Sequence, residues 1–250
     1  MGFVNLIRSF RASAKDSSQF NSLYHKQKGR ITMELDYLFA TKPEPTGNNI
    51  INILGTAASE CVFSHSVYGE GFYSFNIEVP RLSDATDTLP VTISERIIER
   101  DDFRVGDVVY ITGQIRSYNS YIADENRNRL ILTIFARSCE IIETNDTRSP
   151  NEVYLNGYIC KPPIYRTTPF GREIADLLLA VNRSYNKSDY IPCITWGRNA
   201  RFCEKLSVGD NIRIWGRMQS RLYQKKLPDG DVSERVAYEV SASKIERDEL

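Results

Sequence analysis

The chain has 250 residues, of which 41% are hydrophobic and 26% charged, and its formal net charge is zero. This composition is ordinary for a globular protein and excludes a disordered or fibrous chain. No apolar run reaches the length of about 18 residues that a membrane-spanning helix needs, and no secretory leader is present, so export and membrane insertion are not expected.

The charges are distributed unevenly along the chain. Residues 1–32 carry six Lys/Arg and one acid, residues 33–150 carry ten and eighteen, and residues 151–250 carry sixteen and thirteen. Because phosphate groups are attracted to an excess of cations, a nucleic-acid site is expected in the last segment rather than in the acidic middle.

Residues 1–32 are rich in Ser, Lys and Arg and poor in acids. We expect a basic, disordered extension or an upstream start artefact, with Met33 as the true start. A mitochondrial transit peptide is the alternative.

An internal repeat occupies the rest of the chain. Residues 53–56 match residues 155–158, and residues 89–94 match residues 191–196, both displaced by 102 positions; residues 105–117 match residues 208–220, displaced by 103. Such colinear matches predict two copies of one domain, 33–143 and 151–250, joined by a polar linker at 144–150.

Short runs of Val, Ile, Tyr and Phe between Gly, Pro, Asn and Asp clusters predict antiparallel strands in each copy. In the second copy we place strands at 152–160, 172–182, 190–196, 211–224 and 233–246. A short helix is expected between the third and fourth strands, at 95–104 and 198–207, and Gly113 and Gly216 are expected to mark bulges or bends. The fold class is therefore all-β, with two tandem five-stranded OB-type barrels.

Aromatic and basic side chains are interleaved in the second copy. Stacking on bases and neutralisation of phosphates is the chemistry that single-strand binding requires. The alternative is that rings in strands belong to the core. The candidate rings are Tyr185, Tyr190, Trp196, Trp215 and Tyr223, and the cations beside them are Arg183, Lys187, Arg198, Arg217 and Arg221.

The first copy serves as a comparison because it lacks this set of rings. Ser83, Thr88, Ser94 and Thr112 occupy the positions of Tyr185, Tyr190, Trp196 and Trp215. A ring that both cores required would be present in both copies, so its loss from the acidic copy favours a ligand role in the basic one. The first copy keeps Arg116, Tyr118 and Tyr121 on its long hairpin, either as a weaker extension of the path or, as is more common for such residues, as a solvated hairpin.

An enzyme is not expected, because none of the common catalytic or phosphate-binding motifs is present. The acids at 101–102 and 229–231 are explained by turns. The five cysteines show no CxxC pair and are expected to be reduced packing residues, and neither a metal site nor a cofactor is predicted.

The segments 208–223 and 235–246 closely resemble the bacterial single-stranded DNA-binding protein family. The resemblance covers about 100 residues and includes 152–157, 179–185 and 190–197 in the order of the family. It implies base-stacking roles for Tyr185, Tyr190, Trp196 and Tyr223, and it makes Trp215 a packing residue.

This resemblance implies a protein that binds and protects single-stranded DNA in bacterial replication, repair or recombination, in the cytoplasm and at the nucleoid. Two barrels per chain, where the usual subunit has one and forms a tetramer, suggest a homodimer with four barrels. The long tail that recruits replication and repair proteins in the family is absent from this sequence, which makes recruitment by that route doubtful. The alternative function is a replication or primosome adaptor whose first domain binds a protein partner.

Overall fold

Twelve strands and one short helix make up the described part of the chain. The computed structural model describes residues 46–81, 83, 85–98, 103–122, 127–142, 150–226 and 232–248. The first repeat contains β1 (Asn49–Ala57), β2 (Val62–Val67), β3 (Glu70–Pro80), β4 (Thr86–Ser94), β5 (Val108–Ile122) and β6 (Arg127–Ile141). The second contains β7 (Asn151–Ile159), β8 (Ile164–Thr167), β9 (Glu173–Arg183), β10 (Lys187–Trp196), α1 (Arg198–Cys203), β11 (Asn211–Lys226) and β12 (Val232–Arg247).

Five strands close each barrel. In the first repeat β1 pairs with both β3 and β5, β3 pairs with β4, β5 pairs with β6, and a short parallel pairing of β4 with β6 completes the ring. Strands β7, β9, β10, β12 and β11 close the second barrel in the same way. This topology confirms the prediction of two tandem OB-type barrels.

The sequence-based prediction omitted the short strands β2 and β8, which extend each barrel at the edge of the sheet. β8 has only four residues and lies between Pro163 and Pro169, so it lacks the length and the alternation on which a strand prediction depends.

The predicted helix of the second repeat is present as α1, although it is shorter than expected. In the first repeat a turn covers 95–97, and residues 99–102 lie outside the described part. The basic extension at 1–32 and residues 144–149 of the predicted linker also lie outside it. The domain limits 33–143 and 151–250 remain predictions.

Gly113 and Gly216 lie at the two bulges that the sequence predicted. The strand register shifts between Thr112 and Gly113 in β5 and between Trp215 and Gly216 in β11. A Cβ atom on either glycine would collide with a backbone carbonyl oxygen of the neighbouring strand. The close approach of two backbones therefore requires glycine at both positions.

The two barrels are joined through their first strands. β1 pairs with β7 in antiparallel register, with Ile51 opposite Val153, so that one sheet continues from one barrel into the other. The interiors of both barrels are filled by buried Ile, Leu and Val side chains.

Candidate nucleic-acid interface

Three of the four predicted stacking rings lie along the strand pair β9–β10. Tyr185 occupies the turn between the two strands, where its backbone has a positive φ of 62°, and Tyr190 and Trp196 lie further along β10. Their exposures are 94%, 45% and 41%. Within the described part of the chain, none of the three rings has a ring contact or a side-chain hydrogen bond.

The surface between these rings is mostly apolar, with one charged residue, Asp176, opposite Ile194. Tyr190 lies opposite Ala180, Pro192 opposite Leu178, and Trp196 opposite Ile174, and paired residues of antiparallel strands present their side chains on the same face. Tyr190 and Trp196 are separated by about 20 Å along the strand. The arrangement is a shallow, mostly apolar track with a ring near each end and the Arg166–Asp176 ion pair close to Trp196.

Trp196 is exposed although Ile194, on the same face, is buried. Gly197 follows with φ 55° and ψ −121°, a backbone conformation that glycine adopts without strain, and α1 begins immediately after it. The strand therefore ends at Trp196, which places this ring at the rim of the barrel.

Tyr223 lies apart from the other rings, on the long β11–β12 hairpin and opposite Arg235. It is half-buried, and the Arg221 guanidinium lies 5.9 Å from the centre of its ring. β12 is also the strand that pairs with β10. The hairpin that carries Tyr223 is therefore next to the strand that carries Tyr190 and Trp196.

The five predicted cations divide into two groups. Lys187 and Arg198 are exposed, and among the described residues their charged groups have no partner. Arg183 lies 3.3 Å from the Asp189 carboxylate, and Arg221 lies 3.4 Å from Glu239. Arg217 donates to Gln219 at 3.1 Å and lies 3.8 Å from Asp87. Only Lys187 and Arg198 can therefore contact a ligand without first breaking an interaction with another side chain.

Buried carboxylates explain why these arginines are occupied. Asp189 of the second barrel accepts a hydrogen bond from the Ser117 amide of the first barrel at 2.8 Å, and Arg116 lies 3.1 Å from it. Asp87 of the first barrel accepts from the Ser220 amide of the second at 2.7 Å and from Arg81 at 2.6 Å. The two sites are related by the repeat, and they connect the barrels.

The pKa values of Arg116 and Arg81, the arginines at these two sites, are shifted in opposite directions. Burial lowers the pKa of Arg116, as does the positive charge of Arg183, whereas the hydrogen bond from Arg81 to Asp87 raises the pKa of Arg81. Sequence reasoning missed these junctions, although Asp87 and Asp189 match each other at the repeat displacement of 102 positions.

Trp215 packs against neighbours on the outer surface of the sheet. Its ring centre lies 5.2 Å from that of Tyr154, and the Lys244 ammonium lies 4.4 Å from its centre. This environment agrees with the packing role that the resemblance implied for Trp215.

The equivalent face of the first barrel is polar. Thr88 is exposed, Ser94 is buried and bonded to the Glu70 carboxylate, and Thr112 pairs with the Ser138 hydroxyl at 2.7 Å. Ser83, like Thr88, is exposed. The additional residues Tyr118 and Tyr121 are 55% and 61% exposed on β5.

The first barrel carries a different row of rings that the sequence comparison did not detect. His65 stacks on Phe72 at 5.2 Å, Phe72 contacts Phe135 at 5.7 Å, and Arg116 lies 5.6 Å from the centre of Phe135. These rings are not at the aligned positions, so only the strand register could have revealed them.

Neither a metal site nor a membrane-spanning helix is found where the structure describes the chain. No group of three or more His, Cys, Asp or Glu side chains there is arranged to hold a metal ion. No helix in the described residues is long and apolar enough to cross a membrane.

The closed five-stranded barrels define a tandem OB-fold protein, and the second barrel presents rings and cations on one face. A model of the "Single-strand binding protein family" matches residues 150–248. Single-stranded DNA-binding protein B of Bacillus subtilis is 34% identical over 86 residues, which are 30% of this chain and 74% of that protein. The chain belongs to the single-strand binding protein family.

Two further comparisons define the extent of the similarity. Single-stranded DNA-binding protein 1 of Staphylococcus aureus is 39% identical over 83 residues, covering 30% of this chain and 50% of that protein. The crystal structure of the single-stranded DNA-binding protein from Thermus aquaticus covers 82% of this chain and 95% of its own with a TM-score of 0.65. At 19% identity, that likeness establishes the fold alone. The chain spans about half the length of the curated relatives from Staphylococcus aureus and of single-stranded DNA-binding protein A from Bacillus subtilis.

Proposed function

We propose that the protein binds single-stranded DNA without sequence preference through its second barrel and catalyses no reaction. The observation that carries this proposal is the set of open rings along β9–β10: Tyr185, Tyr190 and Trp196 are exposed and lack side-chain partners among the described residues. The names of the curated relatives, all single-stranded DNA-binding proteins, support the same function.

The mechanism is base stacking combined with phosphate neutralisation. Stacking of a base on an aromatic ring contributes about 1–3 kcal/mol and does not depend on which base it is. Ala180, Leu178 and Pro192 beside Tyr190 offer no side-chain hydrogen bond to a base edge, and the Asp176 carboxylate nearer Trp196 is already paired with Arg166, so sequence is not recognised there. Lys187 and Arg198 neutralise the backbone, and Tyr223 on the neighbouring hairpin adds a further ring.

The first test is a fluorescence-anisotropy titration of labelled dT oligomers and of duplex of equal length, at several salt concentrations. We expect the protein to prefer the single strand, with an affinity that decreases as salt increases. Because the double variant Trp196→Ala/Tyr223→Ala loses two rings, we expect it to bind about 30-fold more weakly or worse.

The matched control is Trp215→Phe, because Trp215 packs against Tyr154 and Lys244 rather than facing the track. It should bind within about 2-fold of the wild type. Equal affinity for single strand and duplex would contradict the proposal.

A second candidate function is an adaptor role in which the first barrel binds a replication or repair protein. The observation in its favour is the edge strand β2, whose Val62, Phe63 and Val67 side chains are 54%, 60% and 44% exposed. An exposed apolar edge strand can pair with a strand of another protein. A photo-crosslinker at position 67 should then capture a replication or repair protein, and adding Phe63→Ser should abolish capture without weakening binding of DNA.

We also propose that the protein is a homodimer presenting four barrels and acts in the bacterial cytoplasm at the nucleoid during replication, repair or recombination. Two barrels already form one continuous sheet within a chain through β1 and β7, so a four-barrel assembly needs only one further copy. Light scattering should give twice the chain mass of 28.6 kDa. The mass of a single chain at micromolar concentration would contradict the dimer.

A further inference from the structure

The turn between β8 and β9 carries a fully projecting ring that the proposed stacking set does not include. Phe170 is 93% exposed, more than twice the exposure of Trp196. Gly171 follows it with a φ of 74°. An isolated exposed aromatic residue needs no explanation by itself, so the case depends on what surrounds it.

The backbone beneath Phe170 is held by three hydrogen bonds. The Thr168 amide donates to the Arg172 carbonyl at 2.8 Å, and the Gly171 amide donates to the Thr168 carbonyl at 2.8 Å. The Arg172 amide donates to the Thr168 hydroxyl at 3.0 Å. Because the turn is already ordered, a ligand that contacts the ring incurs little conformational cost for the backbone.

The pairing of β9 with β10 places this turn at the Trp196 end of the track. Trp196 lies opposite Ile174, and the Gly197 amide donates to the Glu173 carbonyl at 2.9 Å. Tyr185 occupies the turn at the opposite end of the same strand pair. Phe170 therefore continues the series of exposed rings beyond Trp196.

The charges around the turn favour a polyanion. Arg166 is paired with Asp176 at 2.8 Å, and Arg201 with Glu173 at 3.1 Å. These pairs engage Asp176 and Glu173, and Glu204 is a further acid near Tyr165. The exposed side chains of Arg172, in the turn, and Arg198, at the start of the helix that follows Trp196, have no ion-pair partner within the described residues. Two cations are therefore available at this end of the strand pair.

The first barrel provides the comparison. Tyr68 occupies the equivalent position, 102 residues earlier, and is 104% exposed. Near it Glu70 is paired with Arg96 at 3.4 Å, and the Glu95 carboxylate accepts the Gly71 amide at 2.9 Å. Both barrels therefore present a ring on this turn, but only the second adds an excess of cations.

We infer that Phe170 stacks on a nucleotide base beyond Trp196, while Arg172 and Arg198 contact the adjoining phosphates, so that the single strand runs from the Tyr185 turn past the end of β10 onto the β8–β9 turn. This inference rests on the proposed function. It adds a subsite to the path and assigns none to Tyr68.

The test compares Phe170→Ala with the matched variant Tyr68→Ala, using dT oligomers of about 8 and about 30 nucleotides, the first within the site size of one barrel and the second beyond it. Phe170→Ala should weaken binding of the long oligomer about 5-fold or more. Tyr68→Ala should change it by less than about 2-fold. Phe170→Trp should retain the wild-type affinity, and the melting temperatures should agree because both rings are exposed.

The outcomes separate this inference from the function on which it rests. If the wild type shows no preference for single strands, both fail. If the wild type binds and Trp196→Ala/Tyr223→Ala weakens it, but Phe170→Ala stays within 2-fold of the wild type, only the inference is overturned. An equal loss from Tyr68→Ala would also overturn it, because the cations would then not distinguish the two turns.

Discussion

The two barrels share a backbone but differ on one face. The bulge glycines, the first-strand pairing and the buried junction aspartates occur in both, at matching positions of the repeat. Along the outer face of the central strand pair, Ile174, Leu178, Ala180, Tyr190 and Trp196 of the second barrel replace Phe72, Asn76, Glu78, Thr88 and Ser94 of the first. The residues that build the fold are thus kept, while those that would meet a ligand have diverged.

The rings of the two barrels differ in how they are used. In the first barrel Phe72 contacts both His65 and Phe135, so its ring and that of Phe135 are already partly covered. In the second barrel Tyr190 and Trp196 lie about 20 Å apart along β10, with smaller side chains on the same face between them. An aromatic ring can accept a base only where its face is free, so the number of rings in a barrel does not by itself predict binding.

The largest effect is expected at the junction that both barrels share. Asp189→Ala removes the acceptor of the Ser117 amide and leaves Arg116 and Arg183 without their carboxylate. Loss of one partner from a buried ion pair costs about 3–5 kcal/mol, so the free energy of unfolding in urea should decrease by that amount.

Asp87→Ala should have an effect of similar size, because Asp87 makes the equivalent contacts. The control is Asp176→Ala, a partly exposed partner of Arg166, which should cost less than about 1 kcal/mol. If Asp189→Ala costs no more than this control, the buried carboxylates do not hold the barrels together.

The next largest effect is expected when residues are exchanged between the outer faces of the two barrels. Tyr190→Thr introduces the residue that the first barrel has at this position, and it should weaken binding of dT about 5-fold or more. The reverse change, Thr88→Tyr, should gain less than 2-fold, because Glu78 lies opposite position 88 and repels phosphate.

Adding Glu78→Ala to Thr88→Tyr, as in the second barrel, should increase the gain in anisotropy titrations. A full gain from Thr88→Tyr alone would show that the acid does not limit the first barrel.

The sequence predicted the fold well because each β-signal was local. Alternating Val and Ile, the turn residues and the glycines at 113 and 216 reflect local backbone preferences. The repeat shows these signals twice, so each copy supports the prediction made for the other. β8 was missed because its four residues cannot establish a period. The candidate rings were identified as differences between the copies, and their role in stacking stays a prediction. The junction depends on contacts more than 70 residues apart in sequence, such as Ser117 with Asp189, which no local pattern encodes.

Inside both barrels, by contrast, burial raises the pKa of cysteine thiols, including Cys193 in the second barrel. Burial raises the pKa of Cys139 in the first barrel and of Cys203 in the second to about 12. An unfolded thiol titrates near about pH 8.5. Between these values the unfolded chain loses protons that the folded chain keeps, so the free energy of unfolding decreases as pH rises.

The decrease should reach about 1.4 kcal/mol per buried thiol by about pH 9.5 and vanish below about pH 8. Urea titrations of the wild type and of Cys203→Ala at neutral and alkaline pH measure this difference. A wild type and variant with the same pH dependence would show that the thiol titrates in the folded state near its ordinary pKa.

The smallest expected effect is on the salt dependence of DNA binding, which should distinguish cations without an ion-pair partner from paired ones. Lys187 and Arg198 have no partner among the described residues, so each should release about one counterion on binding, and Arg198→Ala should reduce the slope of log affinity against log salt by about 0.7. The matched change in the first barrel is Arg96→Ala. Arg96 is paired with Glu70 and lies on the acidic barrel, so the slope should not change.

Arg183→Ala should instead lower stability, since it leaves Asp189 with fewer partners. If Arg183→Ala instead reduces the slope of log affinity against log salt and leaves stability unchanged, the ion pair with Asp189 opens to bind phosphate. The distinction between unpaired and paired cations would then not predict the path of the DNA strand.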